Sequence, residues 1–127
     1  MPRVVRCGHI QAINPRHEGS LDEIKEAMVQ KHLGLVEEAG KKGVQVLCLQ
    51  EIFHGPYFPA EQDIRWYRTA EPVPGPITER FAPLAKKHRM AMILPIYEKE
   101  QEGVYYNCAA VLDADGTYLG KMRKVHI

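Results

Sequence analysis

A glutamate stands at the end of a run that reads as a buried strand. Val44-Gln45-Val46-Leu47-Cys48-Leu49-Gln50 is mostly apolar, and Glu51 follows at once. The next residues, Ile52-Phe53-His54-Gly55-Pro56-Tyr57-Phe58-Pro59, are rich in aromatics, Gly and Pro. A carboxylate costs free energy when it leaves water unpaired, so Glu51 needs a partner or a use. In open α/β sheets, ligands sit at the carboxyl ends of the strands. Taken alone, Glu51 fits either a general base or a structural ion pair. A second cluster lies near the other end, in Lys121-Met122-Arg123-Lys124-Val125-His126. Strand alternation puts Lys124 and His126 on one face, and Lys121 and Arg123 on the other. A solvated basic edge that blocks strand aggregation also accounts for this run.

The other reactive side chains point to less. Alternation places Leu47, Leu49 and Glu51 together and turns Cys48 away, so Cys48 is not a nucleophile that Glu51 could serve. Cys7, Cys48 and Cys108 read as small strand hydrophobes. The six histidines show no ligand spacing such as His-x-x-x-His, which leaves a metal site unsupported. His54 and His126 stay as hydrogen-bonding candidates near a pocket. No Gly-rich phosphate loop is present.

These residues need elements to hold them. Val4 to Ile13 reads as a first strand. Ser20 reads as a helix N-cap, with Glu23 completing a capping box. Leu21, Ile24, Ala27, Met28, Leu35 and Ala39 then follow at helical spacing, interrupted by polar Lys31 and His32. Gly40 and Gly43 bracket a C-terminal stop. The apolar run 44–50 is the second strand and completes a βαβ unit. A short helix is expected within 60–66. After the stiff Pro-rich loop 71–76 comes a helix from about Ile77 to His88, with Phe81, Leu84 and Ala85 inward. Strands follow at Met90–Tyr97, Val104–Leu112 and Thr117–Lys124. They are separated by a polar tip at 98–103 and a turn at Asp113-Ala114-Asp115-Gly116, and read as an antiparallel meander.

The 127 residues are 45% hydrophobic and 26% charged, ordinary for a globular α/β protein of one domain. A net charge of +1 argues against nucleic acid as a partner. No apolar run is long enough to span a bilayer, and the N-terminus lacks the apolar core of a signal peptide. Three cysteines without paired spacing fit a reducing, cytoplasmic setting. The ending Val125-His126-Ile127 cuts a strand pattern, which reads as the front part of a longer protein.

Three segments together resemble the carbon–nitrogen hydrolase (nitrilase) superfamily. They are Val46-Leu47-Cys48-Leu49-Gln50-Glu51 with Phe53, the Asn107 strand with its Asp115-Gly116 turn, and Gly120-Lys121-Met122-Arg123-Lys124-Val125-His126. Within it, the pattern is most similar to the N-carbamoyl amino acid and N-carbamoyl amine amidohydrolases, β-ureidopropionases above all. The resemblance implies a four-layer αββα sandwich, of which residues 1–127 are the front portion of one domain, incomplete at the C-terminus. It also implies a homodimer or larger homo-oligomer and a small N-carbamoyl or amide substrate, with no metal or organic cofactor. By motif match Glu51 is the general base and Lys124 the cation beside the developing oxyanion, while the nucleophilic Cys lies beyond this chain. An apolar, aromatic-walled pocket is expected to raise the pKa of Glu51. The loop Phe53 to Phe58 is expected to wall the substrate side, with Tyr57 as a hydrogen-bond donor. His126 is expected to orient Glu51 or the loop. A nitrilase or simple amidase of the same fold is one alternative; a non-catalytic interaction module that keeps the front half of the fold is another.

Overall fold

The computed structural model describes residues 4–126. Its element order is β1 (Cys7–Ile10), α1 (Leu21–Lys41), β2 (Val46–Leu49), α2 (Pro76–His88), β3 (Ala91–Gln101), β4 (Val104–Leu112) and β5 (Tyr118–Arg123). The five strands form one sheet in chain order. β1, β2 and β3 run parallel, and β3, β4 and β5 run antiparallel. The βαβ start and the antiparallel meander are both present.

Local chemistry sets the helix ends. The Glu23 N–H donates to Ser20 Oγ at 3.2 Å and the Ser20 N–H donates to Glu23 Oε2 at 2.8 Å, which completes the capping box. α1 ends beside Gly43, whose φ of 71° lies in the left-handed region that glycine tolerates. Helix α1 buries Ile24, Met28, Val29, His32 and Val36. His32, read as an interruption of the apolar face, belongs to it. Its ring is buried 5.0 Å from that of Phe53, and Nδ1 lies 2.9 Å from the Met28 carbonyl oxygen. Pro at the first position of α2 suits a site whose N–H would have no partner.

The two faces of the sheet differ. Leu47, Leu49, Met92, Leu94, Ile96, Cys108, Ala110 and Leu112 share one core with Val29, Val36, Ile77, Phe81 and Ala85 of the helices. The alternate residues, among them Val46, Cys48, Ile93, Pro95, Ala109 and Val111, are only partly buried. The described residues thus supply one helical layer and one sheet of the expected sandwich.

Several boundaries differ from the sequence reading. The first strand shrinks to Cys7–Ile10, and Val4, Val5 and Ile13 are exposed outside it. Cys7 is exposed rather than a core residue, while Cys108 is buried as expected. The short helix at 60–66 is two 3-10 turns, Phe58–Ala60 and Ile64–Thr69. β3 continues through the supposed polar tip to Gln101, and the turn narrows to Glu102 and Gly103. Strand structure extends there because Glu98, only 1% exposed, has cations to meet it. Arg123 Nε donates to Glu98 Oε2 at 3.0 Å, Arg123 Nη2 donates to Oε1 at 2.8 Å, and Lys121 Nζ also donates to Oε1. Lys121 and Arg123 do share a face, as alternation requires, but they clamp a buried carboxylate and are not a free basic edge.

Candidate active site

β2 stops at Leu49, and the chain turns through Ile52, whose φ is 48°. Regular alternation would have carried Glu51 onto the helix side with Leu47 and Leu49. The turn releases it, and its side chain stays 40% exposed. The turn is anchored behind. The Phe53 N–H donates to the Pro95 carbonyl at 3.4 Å, and the Tyr97 N–H donates to His54 Nε2 at 2.9 Å. Both side chains lie in the core: the Phe53 ring meets the Phe81 ring edge-on at 5.3 Å and the His54 ring at 5.9 Å.

Asn107 and Lys124 approach from β4 and the end of β5. Lys124 Nζ donates to Glu51 Oε1 at 2.9 Å. Asn107 Nδ2 donates to the same oxygen at 2.6 Å. The Lys124 N–H donates to the Asn107 carbonyl at 2.8 Å. The three residues line a cavity of about 370 Å³ with Ile52, Tyr57, Phe58, Pro59, Tyr67, Tyr97, Gly103, Tyr105 and Tyr106. Its wall is a continuous aromatic array: Tyr67 stacks on Tyr105 at 4.8 Å, Tyr105 lies 5.7 Å from Tyr97, and Tyr97 lies 4.8 Å from Phe58.

The electrostatics correct one expectation. The aromatic wall does not raise the Glu51 pKa. Hydrogen bonds from Lys124 and then Asn107 hold the carboxyl below its ordinary value and outweigh burial, which pushes the other way. The same contact raises the Lys124 pKa, first through its hydrogen bond to Glu51 and then through the carboxylate charge. The site therefore presents an ionised carboxylate and an ammonium. An ion pair this exposed adds little to stability, so stability is a weak reason for it.

Of the residues read from the sequence, Glu51, Lys124 and Tyr57 meet at the cavity. Phe53 and His54 do not line it, because their apolar surroundings draw them beneath the turn. His126 is exposed and makes no hydrogen bond to Glu51 among the described residues. Asn107 carried the resemblance but was given no role; a carboxamide inside an apolar strand was the available signal. Tyr67, Tyr97 and Tyr105 are scattered between positions 67 and 105 and have no local signal. None of Cys7, Cys48 and Cys108 lines the cavity. Burial pushes the Cys48 thiol pKa up and is the main cause that carries Cys108 up to about 12. Among the described residues, no group of three or more His, Cys, Asp or Glu is placed to hold a metal, and no helix is long and apolar enough to cross a membrane.

The carbon-nitrogen hydrolase pattern matches residues 13–127, nearly the whole chain. The chain belongs to the carbon-nitrogen hydrolase family. It is 36% identical to a beta-ureidopropionase of Arabidopsis thaliana over 99% of this chain and 32% of that protein. It is 40% identical to an N-carbamoylputrescine amidase of Oryza sativa subsp. japonica over 73% of this chain and 31% of that protein. Its fold matches the crystal structure of a carbon-nitrogen hydrolase from Helicobacter pylori G27 with a TM-score of 0.76 and 27% identity, over 97% of this chain and 40% of the other. The chain thus spans about a third of the length of these two relatives. Membership accounts for the mixed sheet and for helices on one of its faces.

Proposed function

We propose that the protein carrying this chain hydrolyses the carbon–nitrogen bond of a small N-carbamoyl amine or amino acid. Residues 1–127 are read as the front portion of its carbon–nitrogen hydrolase domain. The observation that carries the reading is the contact between Glu51 and Lys124 at the mouth of an aromatic cavity. Glu51 is the general base: its carboxylate takes the proton of an attacking thiol, whose sulfur forms a bond to the carbamoyl carbon. Lys124 is the cation beside the oxyanion that develops when the carbonyl π pair moves onto oxygen. Glu51 then returns the proton to the leaving nitrogen as the oxyanion collapses and the C–N bond breaks. Water, deprotonated by Glu51, next attacks the S-acyl carbon, and the S–C bond breaks to return the thiol. None of Cys7, Cys48 and Cys108 reaches the cavity, so the thiol is assigned to another part of the protein.

The cavity suits a small molecule, and its tyrosines suit the flat carbamoyl group or a slender amine tail. The reading extends to a cytoplasmic homo-oligomer; three free thiols support the reducing setting. Ammonia release from N-carbamoyl-β-alanine tests it in the full-length protein and in residues 1–127 alone. We expect turnover only in the former. Turnover by residues 1–127 alone would overturn the assignment of the nucleophile. A full-length protein that cleaves only simple amides or nitriles would move the reading to those substrates. One inert to all of them would overturn it.

A further inference from the structure

Both donors to Glu51 meet the same oxygen. Asn107 Nδ2 at 2.6 Å and Lys124 Nζ at 2.9 Å converge on Oε1. Among the described residues no hydrogen bond reaches Oε2. Asn107 also accepts the Lys124 N–H at 2.8 Å through its own carbonyl. It therefore touches both charged groups, one through its side chain and the other through its backbone. Tyr97 is its register partner on β3, and the Tyr97 N–H is bonded to His54, three residues past Glu51. Asn107 thus sits where the turn after β2, strand β3 and the end of β5 are tied together.

We propose that Asn107 is a positioning residue that anchors Oε1 of Glu51 and leaves Oε2 as the oxygen that accepts and returns the proton. The inference rests on the base role given to Glu51 above. A carboxylate oxygen that already accepts two hydrogen bonds has little lone-pair density left for a proton. A proton on Oε1 would also face two donors, and one of those bonds would break. A proton on Oε2 turns Oε1 into a carbonyl oxygen, which the amide and the ammonium still satisfy. The carboxyl group therefore needs no rotation between its two protonation states. A carboxamide suits this task because its N–H does not ionise and donates to both forms, more strongly to the carboxylate than to the acid carbonyl.

The test uses the full-length protein with Asn107→Leu, which keeps the size and removes the donor, and Asn107→Asp, which keeps the shape and places a second anion against Oε1. The Glu51 carboxyl is titrated by ¹³C NMR, which needs no turnover. The pH profile of kcat/KM is measured in parallel. We expect the Glu51 midpoint to rise in Asn107→Leu and further in Asn107→Asp, where like charge adds to the lost donor. The acidic limb of kcat/KM should rise with it, and kcat/KM should fall about tenfold in Asn107→Leu, as for loss of one hydrogen bond to a charged group. An unmoved Glu51 midpoint in both variants overturns the proposal. So does a loss of activity with the acidic limb in place, since that is what a merely structural residue would give. If the unaltered protein turns over no substrate, the functional reading fails, and the titration still decides whether Asn107 holds the carboxylate.

Discussion

Lys124 Nζ rests 2.9 Å from Oε1 of Glu51, although 73 residues of chain separate the two. Each comes from the end of a strand whose place is fixed by packing elsewhere. Glu51 leaves β2 where the apolar run stops, and Lys124 follows the pair of cations that clamp Glu98. The charges meet because Ile52 is buried behind Glu51 and Arg123, beside Lys124, is held by buried Glu98.

In the full-length protein, Glu51→Gln keeps the size of the side chain and removes the proposed base, and is expected to lower kcat by roughly 10²- to 10⁴-fold. Lys124→Ala removes the charge proposed to stand beside the oxyanion and should cost about 10²- to 10³-fold. Steady-state kinetics on an N-carbamoyl substrate checks both. A near-normal rate in either variant removes that residue from the mechanism.

His54 should make stability fall in mild acid. Burial, with a smaller contribution from the Lys25 charge, lowers its pKa from 6.5 to about 3. In that window the unfolded chain binds the proton and the folded chain does not, so stability drops as pH drops. Between pH 6.5 and 5 the loss is about 1.5 kcal/mol. Burial also lowers the pKa of His32, which adds to the slope with the same sign. His54→Gln keeps an acceptor for the Tyr97 N–H and should flatten the slope in urea unfolding followed across this range. A slope that persists unchanged would place the protonation elsewhere.

Glu98 holds the β3–β5 end of the sheet. Burial pushes its pKa up, but hydrogen bonds from Arg123 and Lys121 outweigh that and leave it lower than usual. Glu98→Ala leaves Lys121 without its carboxylate and Arg123 with Glu100 alone. Both cations are partly open to water, so the loss is expected at about 1.5–3 kcal/mol, that of hydrogen bonds to a charged group. Chemical denaturation followed by the fluorescence of Trp66 measures the loss, and a change under about 1 kcal/mol would mean that the clamp is dispensable.

Gly40 is needed for contact between the helices and not for a turn. A Cβ there would lie 2.2 Å from Cγ of His88. Gly40→Ala should destabilise by about 1–3 kcal/mol through overpacking, despite the roughly 1 kcal/mol that alanine contributes inside a helix. In a His88→Ala background the same change should become stabilising. A double-mutant cycle without that reversal would show that the two helices do not meet at this point.

Much of the architecture was legible in the residues. The capping box at Ser20 and Glu23, the stop near Gly43 and the apolar run of 104–112 are local signals, and each element formed where it pointed. What misled was also local. Glu98 to Gln101 read as a tip because charges favour water, yet cations two strands away in sequence drew them into β3. Val4, Val5 and Ile13 read as strand because they are apolar, yet they lie exposed outside the sheet.

By itself, the order of residues determined the element types, the family and the two charged positions that carry its motifs. Propensity, capping and motif spacing act over a few residues, so they can be read along a line. Only the tertiary structure decided that Phe53 and His54 lie beneath the turn, that Asn107 joins the site, and that the Glu51 pKa is lowered. Those outcomes depend on which groups arrive from distant strands. Side-chain burial and charge act through space, where distance along the chain has no bearing.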